Sequence, residues 1–195
     1  KEFNFLGFAD SKKKVGTLIA KINNKKFKII DLQTIEKKFY GVIGIGDNYL
    51  RHKESLLFSK KYKNLRWGKI ISKQSIVSKT SSIGSGSVIL GNSFLGAGSK
   101  IKKHCIINSS SSIDHDNIFN DFSSTGPGVI TGGNVKINKF SHLGIGCVVK
   151  NNIIIGENTI CGGKSFINKN CKKNSIYFGV PSKFIKSRKL GSKYL

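Results

Sequence analysis

From Ile71 onward the sequence keeps a beat of six. Every sixth residue from Ile71 to Ile167 gives 17 positions, 14 of them Ile, Leu, Val or Phe, and the phase never slips. A second register, four residues further on, runs from Ser75 to Cys171, and 13 of its 17 positions are Ser, Thr or Cys. Glycine recurs one residue after the aliphatic position, as at Gly84, Gly96, Gly126, Gly132 and Gly144. A period of six matches neither the helix nor simple alternation. It fits a short strand followed by a tight corner, because residues i and i+4 share parity and both face inward. The bulky residue fills the interior, the small one sits where the chain turns, and glycine relieves the backbone near the corner. Three units make a triangular coil of about 18 residues, so residues 71–172 supply about five and a half coils, each burying its apolar side on the next.

The registers also account for the cysteines. Cys105, Cys147 and Cys171 fall in the small register and Cys161 in the aliphatic one. No CxxC pair is present, so the four read as small buried hydrophobes, and no metal site is expected. Lys plus Arg is 34 against 10 acidic residues, but only Arg51, Arg66 and Arg188 are arginine. Base and phosphate readers rely on arginine forks, and single-strand binders interleave aromatics with their cations. The charge therefore points to phosphate-bearing small molecules, with nucleic acid the weaker partner. No apolar run approaches the ~20 residues of a membrane helix, and no secretory leader is visible. The chain contains no Met, which suggests that its native start is missing.

The order INSSSSIDHD (107–116), FSSTGPGVITGGNVKI (122–137), FSHLGIGCVV (140–149), IGENTICGG (155–163) and GVPSKFIKS (179–187) resembles the bacterial hexapeptide-repeat nucleotide-sugar N-acetyltransferases, such as the UDP-4-amino-sugar (bacillosamine-pathway) enzymes, and the wider sialic acid O-acetyltransferase-like grouping. The resemblance runs from about residue 41 to 188. It implies a mainly β protein: a left-handed parallel β-helix over residues 67–172, preceded by a small α/β nucleotide-sugar domain (1–66) and followed by a tail (173–195). FNFLGFADSKKK (3–14) is similar to the family's second strand with its acidic end at Asp10. In YGVIGIGDNYLR (40–51), Val42, Ile43 and Ile45 read as a short strand. Gly46 then loosens the backbone, and Asp47 or Asn48 caps a helix carrying Tyr49, Leu56 and Leu57 at helical spacing. Such a helix start offers free N–H groups to a phosphate or ribose. The family's opening strand and GxGGHG-like loop are absent from this chain.

His115 lies between Asp114 and Asp116 in a chain with only 10 acidic residues. Acetyl transfer to an amine needs a base of near-neutral pKa to accept a proton as the C–N bond forms, and histidine suits that. A carboxylate on the other ring nitrogen fixes the tautomer and stabilises the imidazolium. The resemblance makes His115 the base and Asp116, where the family has Glu, its orienter. Asp114 ranks second, because adjacent side chains on extended backbone point to opposite sides. The resemblance further implies an oxyanion donor at the Gly133 N–H and a contact to the reacting sugar at Asn108. It puts the coenzyme at Ser124 (often His in relatives), Ile145, Gly163 and Lys183, with Lys186 near phosphate, and the nucleotide sugar at Asp10, Gly46, Asp47 and Asn48. The expected reaction moves acetyl from acetyl-CoA to the 4-amino group of a nucleotide-linked 4-amino-4,6-dideoxy sugar, in a cytoplasmic homotrimer. The alternatives are sugar O-acetylation, a carbonic-anhydrase-like zinc enzyme and a basic scaffold. His104, His115 and His142 fall in registers that do not converge within one chain.

Overall fold

The computed structural model describes residues 4–10, 12–22 and 25–194. From Ile70 onward the chain winds as a parallel β-helix with three faces. The first face stacks Ile70–Ile71, Val88–Ile89, Ile106–Ile107, Ser124–Thr125, His142–Leu143 and Ile160–Cys161. The second stacks six strands from Ile76–Val77 to Phe166–Ile167, and the third five from Ser82–Ile83 to Ile154–Ile155. Partners lie 18 residues apart in register, for example Ser112↔Ile130 and Ile118↔Lys136. The second residue of each strand is the aliphatic register, and it fills the core. Ile89, Leu95, Ile107, Ile113, Phe119, Ile137, Leu143 and Ile155 are all fully buried.

The small register does more than leave room. Its hydroxyls donate to a corner carbonyl 15 residues later: Ser81 to Gly96, Ser87 to Lys102, Ser93 to Asn108, Ser99 to Asp114 and Ser141 to Gly156. Cys105 Sγ reaches the Asn120 carbonyl in the same way. Buried polar groups require partners, and here each coil supplies those of its neighbour. All four cysteines are free and buried.

The segment before the β-helix departs from the sequence expectation in three respects. Of the 3–14 stretch, residues 3 and 11 lie outside the described residues, and the described ones form a single bridge, Phe8 to Ile29, rather than a strand; beside it Leu18–Ile22 and Lys25–Lys28 pair antiparallel. The strand expected at Val42, Ile43 and Ile45 lies at Phe39–Gly41, parallel to Leu65–Trp67. Residues 42–46 cannot extend that ladder, because the carbonyls of Ile45 and Gly46 turn to the Arg51 guanidinium.

The helix α1 (Asn48–Lys61) is capped as expected: the Asp47 side chain accepts from the Leu50 N–H. Its buried side is polar, however. Asn48 and Arg51 are 0% exposed, whereas Leu56 and Leu57 are 59% and 55% exposed. The reason is what α1 docks against, the edge between the third and first faces. There Arg51 donates to the carbonyls of His104 (Nε, 2.9 Å) and Phe122 (3.5 Å), and Asn48 Nδ2 to those of Phe140 and Ser141 (3.2 and 3.0 Å). Residues three apart on a helix are neighbours, so Asn48 and Arg51 meet carbonyls of successive coils. The tail also exceeds its expected role: Ser175–Gly179 joins the first face beside Ile160–Cys161, and Ser182–Ser187 pairs antiparallel to it. No helix among the described residues is long and apolar enough to cross a membrane.

Candidate active site

The edge between the second and third faces is turned by one residue per coil: Gly98, Asp116, Asn134 and Asn152, with φ between 57° and 71°. Glycine, Asn and Asp are the residues that tolerate this left-handed conformation, so an aspartate at 116 suits the edge. Hydrogen bonds lock the coils in register here: Asp116 N–H to the Ala97 carbonyl (2.8 Å), Asn134 N–H to that of His115 (2.9 Å) and Asn152 N–H to that of Gly133 (3.0 Å). On this frame His115 Nδ1 lies 2.9 Å from Asp116 Oδ2. Asp114 is occupied otherwise, its Oδ1 accepting the His115 backbone N–H at 2.8 Å. The side chains of His115 and Asp116 are 59% and 64% exposed. The Asp116 hydrogen bond, with Asp114 adding to it, raises the imidazole pKa above its ordinary value. With Nδ1–H given to Asp116, Nε2 carries the basic lone pair.

Two further residues shape this edge. A Cβ built on Gly133 would lie 2.4 Å from His115 Nε2, so the ring rests on the bare backbone of the next coil. Gly133 is thus brought together with His115 and Asp116. Asn117 was not foreseen. It is fully buried, and its Nδ2 donates to the carbonyls of Asp114 (2.8 Å), His115 (3.1 Å) and Gly132 (2.9 Å), holding the dyad's backbone from beneath. Its signal in the sequence is a break: of the four positions in the small register that are not Ser, Thr or Cys, it alone is polar, the others being Val129, Val135 and Ile153.

The other candidates fall elsewhere. Asn108, Ile145 and Gly163 share the edge between the first and second faces, across the second face from His115. Asn108 Oδ1 accepts from Ser109 N–H, while Ile145 is 59% exposed and packs by Gly163. Lys183 is exposed on the terminal hairpin, paired with Phe178, whose ring covers Gly162 on that same edge. Ser124 is buried on the first face, its Oγ 2.8 Å from His142 Nδ1. The tail covers this pair: the Tyr194 ring lies 5.0 Å from that of His142.

The helix start is less free than expected. Tyr194 Oη takes the Asn48 N–H (2.9 Å), Asp47 takes that of Leu50, and the Asn48 side chain is buried on the β-helix; only Gly46 is exposed. Asp10 is exposed and accepts the Lys12 N–H. His104 sits on the third–first edge, His115 on the second–third and His142 on the first face. No group of three His, Cys, Asp or Glu able to hold a metal occurs among the described residues. A groove of about 690 Å³ near the third–first edge, lined by Lys102, Lys103, Lys136 and Lys139 with Asp121 and Glu157, does not include the dyad.

No family model matches the sequence. Solved structures do. PerB from Caulobacter crescentus, in complex with CoA and GDP-perosamine, is 26% identical over 75% of this chain and 70% of its own, with a TM-score of 0.73. The chain has the fold of the hexapeptide-repeat nucleotide-sugar acetyltransferases. The acetyltransferase domain of PglB from Neisseria gonorrhoeae FA1090 shares that fold at 23% identity, covering 92% of this chain and 86% of its own, with a TM-score of 0.81. WeeI from Acinetobacter baumannii AYE does so at 22% identity, covering 88% and 84%, with a TM-score of 0.78. A C. crescentus GDP-perosamine N-acetyltransferase has also been solved with a histidine replaced by alanine. Within this fold the His115–Asp116 pair stands exposed on the edge between the second and third faces.

Proposed function

We propose that the chain transfers acetyl from acetyl-CoA to the amino group of a nucleotide-linked 4-amino-4,6-dideoxy sugar, with His115 as the base. The observation that carries this reading is the 2.9 Å pair of His115 Nδ1 and Asp116 Oδ2 on an open edge. The acceptor nitrogen attacks the thioester carbonyl carbon, its proton passes to His115 Nε2, and the C–S bond breaks. The imidazolium, stabilised by Asp116, returns the proton to the departing coenzyme sulfur. The Gly133 backbone beside the ring leaves room for the reacting carbonyl.

A second copy completes the site in this reading. The dyad and the candidate coenzyme residues Ile145 and Gly163 occupy different edges of one chain, with Asn108 alongside the latter. The second face between them carries an uncharged outward row, Ile76, Phe94, Ile130 and Val148, each 37–68% exposed. Exposed apolar rows of this kind mark association surfaces, and a trimer built on them sets one copy's dyad against the next copy's coenzyme edge. Dependence on acetyl-CoA and a nucleotide sugar fits a cytoplasmic setting.

The test is release of free thiol from acetyl-CoA in the presence of a panel of nucleotide-linked amino sugars. His115→Ala is expected to lower turnover by at least ~10²-fold, the usual size of a general-base effect, with the melting temperature unchanged. A variant turning over near the wild-type rate would remove His115 from the chemistry.

A further inference from the structure

Asp116 has a neighbour that neither the repeat nor the dyad accounts for. Gly98 lies one coil earlier on the same edge, at φ +71°. Its backbone conformation alone does not call for glycine, since Asp116, Asn134 and Asn152 hold the same left-handed turn with side chains. Two coils further on, an asparagine is fully accommodated: Asn134 Nδ2 donates to Asn152 Oδ1 at 2.8 Å, one amide laddered on the next. At 98 the ladder is interrupted, and the space belongs to Asp116. A Cβ on Gly98 would lie 2.3 Å from Asp116 Oδ1 and 3.4 Å from its Cγ.

The backbones cannot separate to relieve such a contact. Asp116 N–H is bonded to the Ala97 carbonyl at 2.8 Å, and Gly98 N–H to Thr80 Oγ1 on the coil before at 3.1 Å. The group free to yield is the carboxylate, which turns about its side-chain bonds at little cost to the coil. Both oxygens belong to one rigid carboxylate, so a turn that moves Oδ1 off the Cβ also moves Oδ2, the atom 2.9 Å from His115 Nδ1.

We propose that Gly98 is a positioning residue for acetyl transfer: its missing side chain seats the Asp116 carboxylate so that Oδ2 faces His115 Nδ1. An asparagine there would do the opposite, offering its Nδ2 to Asp116 as Asn134 does to Asn152. This rests on the dyad reading above and adds to it the residue that sets the dyad's geometry. The charged groups facing the imidazole are Asp116 and Asp114, and Asp114 remains on the His115 N–H whatever stands at 98.

The deciding experiment is an NMR pH titration of the His115 ring protons, assigned by their loss in His115→Ala, in wild type and in Gly98→Asn. Gly98→Asn keeps a residue type suited to the left-handed turn, and Gly98→Ala serves as the second variant should it fold poorly. The control is Gly128→Asn, at φ +65° with nothing within 4 Å of a Cβ, compared for melting temperature and His115 titration only. The His115 midpoint is expected to fall toward the ordinary ~6.5 in both Gly98 variants and to stay at the wild-type value in the control. Turnover in the Gly98 variants is expected to drop ~10-fold or more, less than on losing the base itself. An unmoved His115 midpoint in folded Gly98→Asn and Gly98→Ala overturns the proposal. A moved midpoint in a protein whose wild type acetylates no amino sugar keeps Gly98's role and removes the proposed reaction instead.

Discussion

Two edges of the same prism carry the same backbone to opposite ends. The second–third edge turns through Gly98, Asp116, Asn134 and Asn152; the third–first edge turns through Gly86, His104, Phe122, Phe140 and Asn158, again with positive φ. On the first of these edges the side chains are small and polar, and the dyad stands in solvent. On the other, bulky rings adopt a conformation that costs roughly 1–2 kcal/mol per residue. His104 and Phe122 stack at 4.8 Å with planes 3° apart, His52 of α1 packs edge-on to Phe122 at 4.8 Å, and Trp67 abuts His104 at 4.9 Å. Aromatic packing and the Arg51 and Asn48 hydrogen bonds beneath α1 offset that cost. The turn therefore does not decide an edge's role. The side chains mounted on it do.

If the edges are independent, each can be broken without the other. The largest effect is expected from Arg51→Met. It strips donors from the carbonyls of Ile45, Gly46, His104 and Phe122 and should cost about 3–5 kcal/mol in denaturant unfolding, the range for breaking a buried charged network. The His115 NMR midpoint should not move; if it does, the edges are coupled and the contrast fails. Asp116→Asn inverts this pattern. Turnover should fall at least ~10-fold and the His115 midpoint should drop, while unfolding stays within about 0.5 kcal/mol, because the pair is exposed.

Acid separates the edges by sign. Burial foremost, and then Arg51, lower the pKa of His104 and His142 to about 4. Both are neutral in the folded state, so unfolding takes up protons once the pH falls below the unfolded value of ~6.5. Their contribution is complete above about 6.5, is lost as pH falls toward about 4, and amounts to a few kcal/mol, measurable as a melting temperature that drops across that window. His115 shifts the other way. It acts as a base only when deprotonated, so the acid limb of kcat should have its midpoint above 6.5, and a limb at or below that value would contradict the Asp116 contact. The smallest effect is expected from Asn117→Ser, the ordinary residue of its register. It keeps a donor toward the Gly132 carbonyl, loses those to Asp114 and His115, and should cost about 1 kcal/mol with a small loss of turnover; an unchanged protein on both counts would show that the corner needs no pin.

What the sequence disclosed followed local pattern. The coils were legible because each inward position repeats, and the dyad because two carboxylates flank one histidine in a lysine-rich chain. The seat of α1 was not legible, since hydrophobic periodicity looks for Leu56 and Leu57 while the docking surface is a column of carbonyls that Asn48 and Arg51 satisfy. The strand beside it was misplaced for the same reason: the carbonyls of Ile45 and Gly46 answer a guanidinium that no local pattern announces. The tail's reach is not legible either, because Tyr194 meets Asn48 at a separation of 146 residues and also packs on His142.

The 15-residue stitch from hydroxyl to carbonyl has a direction. Every donor precedes its acceptor, so a coil stays open on its C-terminal rim until another is laid upon it. At the far end Ser165 closes differently, accepting the Gly179 N–H from the terminal hairpin at 3.2 Å. The stack thus has a growing end and a stopper, and a chain cut between them would finish on unanswered polar groups over a dry interior.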